Sequence, residues 1–93
     1  MSMGNAAGLK ALRVLDNAER ALAIELLAGT QAIEFLAPLQ PGAGVRAVHD
    51  AVRERSPRLT EDRSLSGDIE LVAEAVRSRA IVAAAESEVG ALA

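Results

Sequence analysis

Leu9, Leu12, Leu15, Ala18, Leu22, Leu26, Gly29, Ile33 and Leu36 recur at spacings of three and four, which marks one apolar stripe along a helix. Past the midpoint a second stripe joins it, made of Ile24, Leu27, Ala28, Ala32 and Phe35. Charges thin out in step. Lys10, Arg13, Asp16, Glu19 and Arg20 stand in the first half, and only Glu25 and Glu34 in the second. The pattern predicts a helix over about 5–36, half exposed at first and then buried nearly all round. Ser2 or Asn5 would cap its start, and Pro38 and Pro41 would end it. At 1.5 Å per residue it would run roughly 48 Å. A periodic helix that long belongs to a coiled coil, a bundle or a repeat. The loose heptad register, interrupted by Gly8 and Gly29, favours a multi-helix bundle.

A turn over 37–43 leads to a second helix, about 44–55, with Val45, Val48, Ala51 and Val52 on its apolar face. Ser56-Pro57 stops it, and the polar stretch 56–66 reads as a loop. Ser66 is a candidate N-cap for a third helix, about 67–78, with Asp68 and Glu70 in the first turn and Ile69, Val72, Ala73 and Val76 facing inward. Ser78 divides it from a fourth segment, about 80–89. Strand-like alternation is absent, so the fold class is all-α: one domain, residues 1–93, with one long helix followed by two or three short ones. Short amphipathic helices cannot cover the long one on both sides. A partner, either a second copy or another polypeptide, is therefore expected to cover the rest.

Composition sharpens this picture. Hydrophobic residues make up 51% of the chain, yet Phe35 is the single aromatic, so a core built mostly of Ala and Leu requires close backbone approach. The net charge of −3 is spread over mixed signs, and no basic block interleaves with aromatics, which argues against a nucleic-acid partner. Cysteine is absent, which excludes disulfides and thiolate metal sites and fits a reducing cytoplasm. The N-terminus lacks a signal-peptide layout. The apolar run Ala21–Ala28 contains Glu25 and is too short to span a bilayer, so no membrane partner is expected.

Candidate chemistry is sparse. His49 is the only histidine, and no acid near it has metal-motif spacing, so it reads as a surface or interface residue. Glu25, set in an apolar run, is expected to be buried against a cation from another segment or chain. Gln31 reads as an interhelical hydrogen-bonding amide, and Glu61, Asp62 and Arg63 as a solvated turn. No catalytic, cofactor-binding or metal-binding residue is assigned.

The wording of the chain adds to its pattern. Leu22-Ala23-Ile24-Glu25-Leu26-Leu27-Ala28 with Gln31 resembles the long C-terminal helix of histidine ammonia-lyases. Pro38-Leu39-Gln40-Pro41-Gly42-Ala43-Gly44 is similar to that family's Pro-Leu-Lys-Pro-Gly-x-Gly turn. Glu61-Asp62-Arg63-Ser64-Leu65 and Asp68-Ile69-Glu70 are close to its Glu-Asp-Arg-Pro-Leu and Pro-Asp-Ile-Glu, and Ser2-Met3-Gly4 matches its Ser-Met-Gly. These matches run in order over essentially the whole chain.

The resemblance implies a C-terminal helical segment of a cytoplasmic homotetramer that eliminates ammonia from histidine to give urocanate, in histidine catabolism. It implies scaffold roles for Glu25, Gln31, Gly42, Gly44, Asp62, Arg63 and Asp68. The family's methylidene-imidazolone cyclises from an Ala-Ser-Gly absent here. Ser66-Gly67 follows Leu65, and the family's base is a tyrosine, of which this chain has none. The chain alone is therefore expected to be inactive and without a cofactor, partnered by copies of itself or by the remainder of a lyase. Arg79 replaces a usual glycine, which is expected to extend the third helix, and Met1 fits a start at a truncated or split boundary. Two other readings stay open. One is a stand-alone, non-catalytic oligomerisation module, and the other is the same segment of a phenylalanine or tyrosine ammonia-lyase or aminomutase.

Overall fold

A computed structural model describes residues 3–57 and 65–90. It contains four helices: α1 (Met3–Phe35), α2 (Ala43–Arg55), α3 (Ser66–Arg77) and α4 (Ala80–Val89). No strand occurs among the described residues. The leading contacts pair α2 with α4 and α1 with α3. The molecule is a slab of 57 × 38 × 17 Å, too thin to bury a helix on all sides. Its radius of gyration is 15.8 Å, against about 12 Å for a compact chain of this length. The excess comes from α1, whose 33 residues run about 50 Å.

The core is small and made of small side chains: Ala23, Ala51, Val52, Val72, Ala73, Ala75 and Ile81. Core alanines on three of the helices let the backbones close up, as the scarcity of aromatics requires. At Gly44 the approach is closest, because a Cβ there would lie 2.9 Å from Cγ1 of Val89. This glycine lets α2 lie flush against the end of α4.

Several expectations change here. The inward stripe of α1 is Glu19, Ala23, Leu26, Leu27, Thr30 and Glu34, not the leucine stripe. Leu9, Leu12, Leu15, Leu22 and Leu36 are all exposed, and every described side chain from Ala6 to Leu15 faces solvent. The second half of α1 is likewise covered on one side only, with Ile24 and Phe35 exposed. Packing selects this side because Ala23 and Thr30 let the neighbouring helices approach, with Leu26 and Leu27 half-buried beside them.

Ser66 is the first helical residue of α3 and not its cap; the cap position is Leu65. Arg79 does not extend α3. It takes φ 67°, ψ 17°, the left-handed conformation that turns the chain into α4. The glycine that the resemblance leads one to expect there would adopt this conformation freely. The expected cap Ser2 and the loop residues Glu61, Asp62 and Arg63 lie outside the described residues.

Candidate functional site

Polar side chains on α1 are sorted by helical phase. Glu25 and Glu34 lie nine residues apart, two and a half turns, so they point to opposite sides of the helix. Glu34 shares the inward face with Thr30, one turn before it, and is the centre of the most enclosed polar cluster. Arg53 of α2 grips it with two parallel bonds, Nε to Oε2 at 2.8 Å and Nη2 to Oε1 at 2.6 Å. His49 Nε2 lies 2.8 Å from Oε2 of the same carboxylate, and its Nδ1 lies 3.0 Å from Asp50 Oδ1. Arg53 also donates to the Ser56 carbonyl, and the Ser56 hydroxyl donates to Asp68 of α3 at 2.6 Å. Glu34, Arg53, Ser56 and Asp68 thus join three helices.

Electrostatics follows from that geometry. The Arg53 hydrogen bonds, with those of His49, hold the Glu34 carboxyl down at about 2, against the opposing effect of burial. His49 is pushed above its ordinary value, first by Asp50 and then by Glu34. A carboxylate held so low is a poor proton acceptor near neutrality, so the cluster acts as a fixed ionic clamp.

Beside it opens a cleft of about 380 Å³, walled by Ile24, Leu27, Gln31, Phe35, Leu65 and Ile69. Gln31 stands exposed on that rim without a hydrogen bond among the described residues, unlike the interhelical bond expected of it. A second clamp ties α1 to α3. Arg77 bonds Glu19 at 2.8 Å and Glu74 at 2.7 Å, and Arg20 bonds Asp16 at 2.6 Å and Glu70 at 2.7 Å.

Glu25 contradicts its expectation. It is exposed and has no ion pair among the described residues. It borders a groove of about 540 Å³ formed by Leu22, Leu26, Ile33, Val45, Val48 and Val89. Sequence reasoning passed over Glu34 and Arg53. The available signal was phase, since Glu34 falls on the stripe of Ala23 and Thr30. Among the described residues, no group of His, Asp and Glu is placed to hold a metal, and no helix is long and apolar enough to cross a membrane.

The structure is an all-α scaffold cross-linked by arginine–carboxylate clamps, with one long helix exposed along its outer side. The sequence profile of aromatic amino acid lyases matches residues 1–54, and the chain belongs to that family. It is 42% identical to the histidine ammonia-lyase of Natranaerobius thermophilus, and the match covers 99% of this chain and 18% of that protein. It is 45% identical to the histidine ammonia-lyase of Sorangium cellulosum over the same shares. With the corresponding enzyme of an Anaeromyxobacter species it shares 49% identity over 82% of the chain. The chain thus spans less than one fifth of the length of these relatives. No solved structure matches it.

Proposed function

We propose that the chain is the C-terminal helical portion of a cytoplasmic histidine ammonia-lyase, acting in histidine catabolism by packing and assembly and without catalytic groups of its own. The observation that carries this reading is the end-to-end match to histidine ammonia-lyases at 42–46% identity. The bare outer side of α1 supports the assembly role, because a helix of this length left half uncovered has its remaining contacts elsewhere.

The fit of the family's electrophile supports inactivity. Leu65-Ser66-Gly67 lacks the alanine, and the Leu65 carbonyl accepts the Ile69 N–H at 2.8 Å within the start of α3. That tripeptide does not suit the cyclisation, so no step is derived through the group. Tyrosine, the family's base, is absent, and Glu34 is held as a salt-bridged anion.

The test is an assay of the purified chain with histidine, following urocanate absorbance, alone and mixed with a histidine ammonia-lyase truncated just before its Ser-Met-Gly. The chain alone is expected to give no turnover and the mixture to regain it. Turnover by the chain alone contradicts the reading. A mixture that stays silent while the two polypeptides bind favours the stand-alone module.

A further inference from the structure

Two acceptors converge on one imidazole. His49 Nε2 lies 2.8 Å from Glu34 Oε2, and its Nδ1 lies 3.0 Å from Asp50 Oδ1. An ionised carboxylate only accepts, and a neutral imidazole has a single N–H, its other nitrogen presenting a lone pair. Both contacts are attractive together only when both ring nitrogens carry protons. Within the cluster Glu34 is held low and Arg53 is raised, so neither changes charge near neutrality, and His49 is the group that does. The elements around the ring bring further charges. Glu25 of α1 borders the groove that His49 also lines, and α4 adds the apolar Ala85 and Val89 there. On the far side of Asp50, Arg46 of α2 and Glu88 of α4 border the same shallow pocket. Asp68 of α3 bears on Arg53 and Ser56.

We propose that His49 is a proton-operated switch: doubly protonated it bridges Glu34 and Asp50, and on losing its Nδ1 proton to water it keeps Glu34 and hands Asp50 to Arg46. Exposure decides which contact is lost. The side chains of Glu34 and Asp50 are 16% and 68% exposed. The remaining N–H stays on the enclosed carboxylate, where a lost hydrogen bond costs more. Asp50 then faces a bare nitrogen lone pair and turns away. Arg46 stands one turn before it on α2, within reach of an i,i+4 pair. Its Nη2 donates to Gln40 Oε1, which leaves other N–H groups for a second acceptor. The switch also changes the local charge. Glu34, Arg53, His49 and Asp50 cancel in the protonated state and carry one excess negative charge in the neutral state. The flank of the groove beside Glu25 therefore turns more acidic as pH rises.

The experiment is a nitrogen-detected NMR titration of the 15N-labelled 93-residue chain through neutrality. His49 is the only histidine, so its ring signals are unambiguous. The ring should titrate above its ordinary 6.5 and leave an Nε2–H tautomer. The Arg46 Nε resonance should move with the same midpoint. In Asp50→Asn, which alters an exposed side chain, the midpoint should fall and the Arg46 signal should stop responding, with circular dichroism unchanged. A wild-type midpoint at or below 6.5 overturns the doubly protonated bridge. A neutral ring protonated on Nδ1 overturns the choice of Glu34. A raised midpoint with an Arg46 signal indifferent to pH, or a midpoint unmoved by Asp50→Asn, overturns the hand-over of Asp50.

Discussion

The two sides of α1 carry similar numbers of apolar residues and behave in opposite ways. The inner side sets Ala23, Leu26, Leu27 and Thr30 between two acids, Glu19 and Glu34, and each acid is held by an arginine of a short helix. The outer side carries Val14, Leu22 and Phe35, all exposed, with Lys10 and Glu25 unpaired among the described residues. A helix does not bury its greasiest stripe by default. It buries the stripe against which its own neighbours can pack closely and whose charges they can answer. Here that stripe is the one with small residues and the better-matched acids, and the larger apolar side chains stay exposed.

The largest effect should separate inside from outside. Val72 is fully buried in the core that α1 and α3 share. Val72→Asp should cost about 3 kcal/mol or more and unfold much of the chain. Leu15→Asp, on the bare side, should leave thermal unfolding of dilute protein nearly unchanged. Equal losses, read by circular dichroism, would erase the contrast.

The next effect compares the two glutamates. Arg53→Met leaves the Glu34 carboxylate, whose side chain is 16% exposed, with His49 as its remaining partner. The loss should be about 2 kcal/mol, below the cost at a fully buried pair because water reaches one edge. Glu25→Gln should change the stability of the dilute chain by less than about 0.5 kcal/mol. Urea unfolding of both variants measures the difference.

The same clamp sets a pH dependence. The Glu34 carboxyl is depressed from 4.5 to about 2, so its contribution is complete above 4.5 and is lost as pH falls through 4.5 toward 2. His49 is raised above 6.5, so its contribution is complete below 6.5 and is lost as pH climbs through its raised value. Stability should therefore peak between pH 4.5 and 6.5, and the alkaline decline should vanish in His49→Asn. A decline that survives the substitution would assign it to another group.

The smallest effect concerns the turn between α3 and α4. Arg79 holds φ 67°, a conformation that costs a non-glycine residue about 1 kcal/mol. Arg79→Gly relieves this at the expense of some chain entropy, so unfolding should shift upward by about 0.5 kcal/mol. A loss would mean that the arginine side chain contributes more than its backbone conformation costs.

Periodicity made the all-α class and the long first helix legible, because threes and fours repeat from Leu9 to Leu36 over about seven turns. The division at Ser78 was legible from local chemistry. What the pattern could not supply was the choice of face. Leucines at Leu9, Leu12, Leu15 and Leu22 outweigh Ala23 and Thr30 on any hydropathy measure, yet the decision rests on the partners that α2 and α3 bring. Arg53 and Arg77 are distant in sequence from Glu34 and Glu19, and only the fold shows which arginine meets which acid. Glu25 looked buried because its neighbours are apolar, but those neighbours lie on a side that this chain does not cover.

Hydrogen exchange along α1, followed against protein concentration, tests the division of labour most directly. Amides from Ala23 to Glu34 belong to turns held by α2 and α3 and should stay protected at every concentration. Amides from Ala6 to Leu15 belong to a helix end without tertiary contact, which is marginal in water on its own. They should exchange quickly in dilute protein and gain protection as the chain associates. Protection of Ala6–Leu15 that is strong in dilute protein and independent of concentration would contradict the account.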